Sequence, residues 1–102
     1  MRILAIGDRS FVIALAGAGA EPVRCDSREA FDDALRDASL RRDVEIVLVP
    51  EPMAEVSSAA VEAFRRRSHA SLLALPVRPS TRHPSLAEMR HRVEQATGAR
   101  LI

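Results

Sequence analysis

The chain has 102 residues, of which 47% are apolar and 28% are charged. This length allows one domain, and this composition is typical of a globular protein rather than a disordered one. A net charge of +1 and only three aromatic residues argue against binding to nucleic acid or to an anionic membrane. All fifteen basic residues are arginine, which excludes chemistry that needs a lysine.

Two features of the chain bear on its location. Cys25 is the only cysteine, so no internal disulfide can form, which favours a reducing compartment. The stretch from Met1 to Ala20 loosely imitates a signal peptide, but Asp8 and Arg9 interrupt its apolar part. No stretch is long and apolar enough to span a membrane. We therefore expect a cytoplasmic protein that reaches a membrane only through a partner.

Four short apolar segments predict four strands, with segments of helical periodicity between them. The clearest is Val44–Val49, whose β-branched apolar run is typical of a buried parallel strand. Val47 is expected on the central strand, buried on both faces of the sheet. The predicted strands, in chain order, are Ile3–Ile6, Pro22–Cys25, Val44–Val49 and Ser71–Leu75.

Helices are predicted in the three intervals between the strands. The first helix begins with Ser10 as its N-cap and ends at Gly17. The second begins at Asp26, with Glu29 completing a capping box, and ends near Leu40.

The third helix is predicted to begin near Pro52 and to run unbroken to the three arginines at Arg65–Arg67. Proline suits the first turn of a helix, and cations suit the last. Apolar residues at helical spacing predict its buried stripe, which consists of Met53, Val56, Ala60, Val61 and Phe64.

The character of the sequence changes after the fourth strand. Pro79 and Pro84 enclose a polar stretch, which predicts a linker with a restricted backbone. Ser85 and Glu88 then form a capping box for a last helix, and Gly98 ends it. The predicted organisation is an α/β domain over residues 1–78, followed by the linker and C-terminal helix over residues 79–102.

Alternation of strands and helices predicts a four-stranded parallel sheet flanked by helices, a flavodoxin-like or receiver-like three-layer α/β fold with a C-terminal helix. Phosphotransfer by a receiver domain requires clustered carboxylates, an acceptor aspartate after the third strand and a lysine. Here only Asp8 is suitably placed, and Pro50 and Glu51 stand at the acceptor position. Receiver phosphotransfer is therefore excluded.

Other kinds of site also lack their residues. Gly17 and Gly19 follow a helix instead of preceding one, so they do not form a dinucleotide-binding loop. Glu88 and His91 share a helix face, but no further metal ligand has the right spacing. We therefore predict no catalytic, cofactor-binding or metal-binding residues, and a protein that is not an enzyme.

The order and spacing of several segments resemble the F subunits of V/A-type rotary ATPases over nearly the full length. Near the start, Gly7 and Asp8 follow a short strand, and the next helix closes on Ala16 and Gly17. The Phe-x-Leu-Ala-Gly run usual in that helix is replaced here by Val12–Gly17, without the phenylalanine. The final segment carries the family's spaced residues at Arg90, Val93, Ala96, Gly98 and Leu101.

This resemblance implies a non-catalytic rotor subunit of the central stalk that needs no cofactor. Its implied partner is the coiled-coil shaft, which is the D subunit of these complexes, with the catalytic head as a further candidate. The protein would couple ATP turnover in the head to ion transport, would attach peripherally to the membrane through the complex, and would be monomeric outside it. Two other classes remain open: a stand-alone adaptor with a degenerate receiver fold, and a small-molecule sensor that binds at the strand ends.

The last predicted helix carries the candidate partner-binding surface. Four of its apolar residues follow the 3-4-3 spacing of a coiled-coil a/d seam, and two arginines lie beside them. Packing of this helix on its own sheet would use the same apolar stripe. The candidate residues are Leu86, Met89, Arg90, Arg92, Val93 and Ala96.

Overall fold

The computed structural model describes residues 1–77, in which strands and helices alternate. The predicted linker, the C-terminal helix and all six candidate partner-binding residues therefore lie outside the described residues. The elements are β1 (Arg2–Gly7), α1 (Arg9–Ala16), β2 (Glu21–Arg24), α2 (Arg28–Ser39), β3 (Val44–Pro50), α3 (Glu51–Val56), α4 (Ser58–Arg67) and β4 (Ser71–Leu75).

The four strands form one parallel sheet in the order β2-β1-β3-β4. The first connection places β2 on one side of β1, and the next returns the chain to the other side, where β3 and then β4 are added. The direction of winding thus reverses at β1. This confirms the predicted four-stranded parallel α/β fold, with the strand order of the flavodoxin-like class.

Apolar side chains cover both faces of the sheet, as expected for parallel strands. One face packs against α2 and α4, with Phe31 and Phe64 at its centre. The opposite face packs against α1, mainly through Phe11 and Leu15. Val47 has no exposed surface, which confirms the prediction that this residue of β3 is fully buried.

The structure places the N-caps of α1 and α2 at residues other than those predicted from the sequence. Asp8, not Ser10, caps α1, and its carboxylate accepts a hydrogen bond from the Phe11 N–H at 3.2 Å. Ser27, not Asp26, caps α2, and its hydroxyl accepts from the Ala30 N–H at 3.1 Å. Each turn contains two oxygen-bearing residues that suit an N-cap, and the spacing of the preceding strand decides which one reaches the free amides.

The third predicted helix is two helices, because the chain breaks at Ser57. The φ and ψ angles there are −107° and 38°, outside the helical region, and α4 begins at the next residue. None of the residues of α3 is fully buried, although Met53 and Ala54 are partly buried against the core. Val56, predicted to lie in the buried stripe, is instead 59% exposed.

Ion pairs join three elements at the amino ends of the strands. The Arg41 guanidinium, between α2 and β3, contacts the Glu21 carboxylate at 2.6 Å and the Asp43 carboxylate at 2.8 Å. Arg2 of β1 contacts the same two carboxylates at 2.8 and 3.2 Å. Hydrogen bonds from Arg41 lower the pKa of the Glu21 and Asp43 carboxyls below their usual values. We call these four residues the amino-end network.

Candidate functional site

Doubly wound sheets bind ligands at the carboxyl ends of the strands, where the direction of winding reverses. Here that position lies between the ends of β1 and β3. A Cβ added to Gly7 would lie 2.8 Å from the Phe11 ring and 2.8 Å from the Pro50 ring. The side chains of Phe11 and Pro50 therefore pack closely against Gly7 at this position.

The acidic residue next to that position has a structural role. Asp8 follows β1, where a receiver domain would place a metal-binding carboxylate, but its side chain is used to cap α1. Within residues 1–77, no group of three His, Cys, Asp or Glu side chains is arranged to hold a metal ion.

The thiol of Cys25 is also buried. Cys25 lies at the end of β2 with 3% of its surface exposed, and its Sγ is 3.5 Å from the Ala30 carbonyl oxygen. Burial, with a smaller contribution from the negative charge of Asp26, raises the pKa of the thiol. A protonated, buried thiol is a poor nucleophile and a poor metal ligand.

An open groove lies at the carboxyl ends of the strands, between the first turn of α2 and α3. We call it the carboxyl-end groove; its volume is about 400 Å³. Phe31 lies at its floor with no exposed surface, and Met53 and Val56 form an apolar wall. The remaining lining residues are Asp8, Cys25, Asp26, Ser27, Arg28 and Ser57.

Charge is distributed unequally along the strand direction. At the carboxyl ends, the loops and the elements that follow them carry both exposed acids and arginines: Asp8, Asp26, Glu29, Glu51 and Glu55 with Arg9, Arg24 and Arg28. At the amino ends, arginines predominate: Arg2, Arg36, Arg41, Arg42 and Arg65–Arg67, against Glu21, Asp37, Asp43 and Glu45. The charged residues that line the carboxyl-end groove itself are Asp8, Asp26 and Arg28.

Sequence reasoning missed this groove because it placed Val56 in the core. Met53, Val56 and Ala60 continue a helical stripe across Ser57, and serine does not by itself predict a helix break.

The described part of the chain, residues 1–77, is thus a small doubly wound α/β protein with an open groove at the carboxyl ends of its strands. Comparison with family models gives a match over residues 3–94 to the ATP synthase (F/14-kDa) subunit. The chain belongs to this family, the F subunits of V/A-type ATP synthases. A search of curated proteins found no match.

This match confirms the resemblance that the sequence indicated, and it makes the chain an accessory rather than a catalytic subunit of an ATP synthase. None of the helices within residues 1–77 is long and apolar enough to cross a membrane. The family match extends beyond the described residues to position 94, so it includes Leu86, Met89, Arg90, Arg92 and Val93.

Proposed function

We propose that this chain is a rotor subunit of the central stalk of a V/A-type ATP synthase, where it binds the coiled-coil shaft formed by the D subunit. It thereby helps to couple ATP hydrolysis or synthesis in the head to ion translocation, and attaches to the membrane only through the complex. The observation that carries this proposal is the family match over residues 3–94.

The segment that follows the sheet supports binding to a coiled coil. Leu86, Met89, Val93 and Ala96 repeat at the spacing of an a/d seam. A helix of about fourteen residues would extend roughly 20 Å along a shaft. Arg90 and Arg92 lie beside the seam, where acidic side chains of the shaft would attract them.

The described domain suits a mechanical rather than a chemical role. At the position where its fold class binds ligands, Phe11 and Pro50 pack closely against Gly7. The central strands β1 and β3 are covered by apolar side chains on both faces, which holds the described elements together in one domain.

The experiment compares three proteins: the full chain, a chain truncated after Val77, and the double variant Met89→Glu/Val93→Glu. Each is mixed with the purified shaft protein, and the dissociation constant is measured by calorimetry. The full chain is expected to bind. The double variant is expected to lose binding at least about a hundredfold, since two charges enter apolar contacts.

Thermal unfolding of the same three proteins provides the control. A truncated chain that unfolds cooperatively, with modest loss of stability, supports an α/β domain over residues 1–78 that does not need the helix. If truncation destroys folding, the last helix belongs to the core, packed on its own sheet. If the truncated chain folds and still binds, the interface lies on the α/β domain. A full chain that does not bind the shaft contradicts the proposed function and favours a stand-alone adaptor.

A further inference from the structure

The two outer strands of the sheet differ at their outer edges. β2 begins with Glu21, ends with Arg24 and contains Pro22 between them. The Cys25 N–H donates to the Gly7 carbonyl of β1 at 2.7 Å, and backbone groups alternate in direction along a strand, so Pro22 faces away from β1. Proline has no N–H to offer a further strand, and charged side chains oppose such pairing. The sequence of β2 therefore closes this edge to another strand.

β4 has none of these features. Its residues, Ser71–Leu75, include no charge and no proline, and within residues 1–77 no strand lies beside its outer edge. Leu72 is buried in the core on one face of the sheet and Leu75 in the core on the other, so the strand is held in its extended form. An apolar edge strand of this kind is a template for pairing with a strand of another chain.

The strand registers determine which backbone groups of β4 face outward. The backbone of Gly7 bonds to the β2 side, so that of Leu4 faces β3. Leu4 pairs with Val47, and Val47 pairs with Leu72. The same alternation then directs the backbone of Val47 toward β4, and those of Leu72 and Ala74 outward. We call the outward backbone groups of β4 the β4 edge.

Arg65 occupies the centre of the β4 edge. It lies in the last turn of α4, and its Nη2 donates a hydrogen bond to the Leu72 carbonyl at 3.3 Å. A paired strand would lie about 4.8 Å from β4, in the space that this guanidinium occupies. Just before β4, the Ser68 hydroxyl accepts a hydrogen bond from the Ala70 N–H at 3.0 Å. The backbone groups of Ala74 remain open to a partner strand.

We propose that the β4 edge is a strand-pairing surface for a second copy of this chain, and that Arg65 keeps it closed. Two β4 strands related by a two-fold axis run antiparallel, and each offers the N–H and C=O groups that the other needs. The strand carries no charge that would oppose this pairing. A coiled coil offers no strand, so this surface is separate from shaft binding, and its closure leaves the chain monomeric.

The first test is self-association of the full chain, measured by analytical ultracentrifugation over a wide range of protein concentration with no other protein present. The unmodified chain is expected to remain monomeric. Arg65→Ala is expected to tighten dimer formation at least about tenfold, because the Leu72 carbonyl and the space beside it become available.

Arg66→Ala is the matched control, since it removes the same charge from the next position of α4. Arg66 pairs only weakly with Glu62 of the same helix, at 3.9 Å, and both side chains are more than two-thirds exposed. This variant is expected to stay monomeric. Equal self-association of Arg65→Ala and Arg66→Ala would show that net charge is responsible, and would overturn the proposal, as would a monomeric Arg65→Ala.

A proline at position 74 tests whether β4 is the surface that pairs. The Ala74 N–H faces outward, so Ala74→Pro removes a donor from the β4 edge but no bond to β3. Arg65→Ala/Ala74→Pro is therefore expected to return to the monomer, and Ala74→Pro alone to keep a cooperative thermal transition. A double variant that still dimerises would place the contact elsewhere. Loss of folding in Ala74→Pro would mean that this N–H belongs to the sheet, and either result overturns the proposal.

Amide hydrogen exchange, followed by NMR, identifies the pairing in solution. In the unmodified chain the Ala74 N–H is expected to exchange fast and the Leu73 N–H, which faces β3, slowly. In Arg65→Ala at high protein concentration, the Ala74 N–H is expected to become protected. Slow exchange at Ala74 in the unmodified monomer would show that another part of the chain already covers the edge, and would overturn the proposal.

One further variant separates pairing from damage to the fold. Arg65→Met keeps the apolar stem and the helix preference of arginine but removes the donor. It is expected to dimerise as Arg65→Ala does, with an unchanged thermal transition. If Arg65→Ala associates only because it unfolds, Arg65→Met stays monomeric and the proposal is wrong.

Discussion

The two ends of the sheet are built differently although the same four strands form both. At the amino ends, the amino-end network ties β1, β2 and the loop before β3 together. At the carboxyl ends, Val56 is exposed beside a groove whose charged lining residues are Asp8, Asp26 and Arg28. Paired charges at one end favour a structural role, whereas the other end exposes an apolar side chain. Within residues 1–77, the ion-pair network and the exposed Val56 thus lie at opposite ends of the sheet.

The largest expected effect comes from the strand that connects the two ends. Val47→Asp places a charge without a partner at a position with no exposed surface, and should prevent folding. Urea unfolding, followed by circular dichroism, measures this. Leu40→Asp, at a residue 77% exposed, is the matched control and should fold normally. A Val47→Asp variant of unmodified stability would contradict the position of β3 at the centre of the sheet.

An intermediate effect is expected at the carboxyl ends. In Gly7→Ala the new Cβ would lie 2.8 Å from the rings of Phe11 and Pro50, so the structure must shift, with a loss of about 1–3 kcal/mol in unfolding free energy. Gly17→Ala is the control, because its nearest contact would be 3.5 Å from the Ala14 carbonyl oxygen. The control should be neutral or slightly stabilising. Equal stability of the two variants in urea would mean that Gly7 lies farther from the Phe11 and Pro50 rings than these distances indicate.

The smallest effect is expected at the amino ends. Arg41→Gln removes the cation that lowers the pKa of Glu21 and Asp43. Because these pKa values are depressed in the folded state, their contribution to stability is present at neutral pH and is lost as the pH falls below 4.5 and 3.8, their usual values. Arg41→Gln should therefore lower the urea midpoint slightly at pH 7, and less at acidic pH.

Salt and a neighbouring residue provide the controls for this network. High salt should diminish the effect of Arg41→Gln, since these side chains are partly exposed. Arg42→Gln should have no pH-dependent effect, because Arg42 forms no ion pair with residues 1–77. If Arg41→Gln lowers the urea midpoint more at acidic pH than at pH 7, the result would contradict lowered pKa values for Glu21 and Asp43.

Much of the fold could be predicted from the sequence because its signals are local. Buried parallel strands such as Val44–Val49 are recognised by a continuous apolar run, and the structure extends this strand by one residue, to Pro50. The N-caps were misplaced by two residues and by one, since Asp8 and Ser10 carry equally suitable oxygens, as do Asp26 and Ser27.

The groove and the amino-end network could not be predicted for a different reason. The break at Ser57 interrupts a helical stripe that the sequence continues, so packing against the sheet decides it rather than local preference. The contact between Arg41 and Glu21 joins residues twenty positions apart, and it depends on the register of β2 against β1. Contacts of this kind depend on how the strands pair, so short sequence patterns do not predict them.

The strand order also fixes how the sheet can grow while the chain is being synthesised. β1 lies inside the sheet, and β2 completes a first strand–helix–strand unit by Arg24. β3 then joins the free side of β1, and β4 joins β3. Each strand after β1 thus finds a neighbour already present, while the second edge of β1 stays unpaired until β3 is made. A nascent chain of this topology can pair each new strand as soon as it is made, which limits the time for which that strand is open to aggregation.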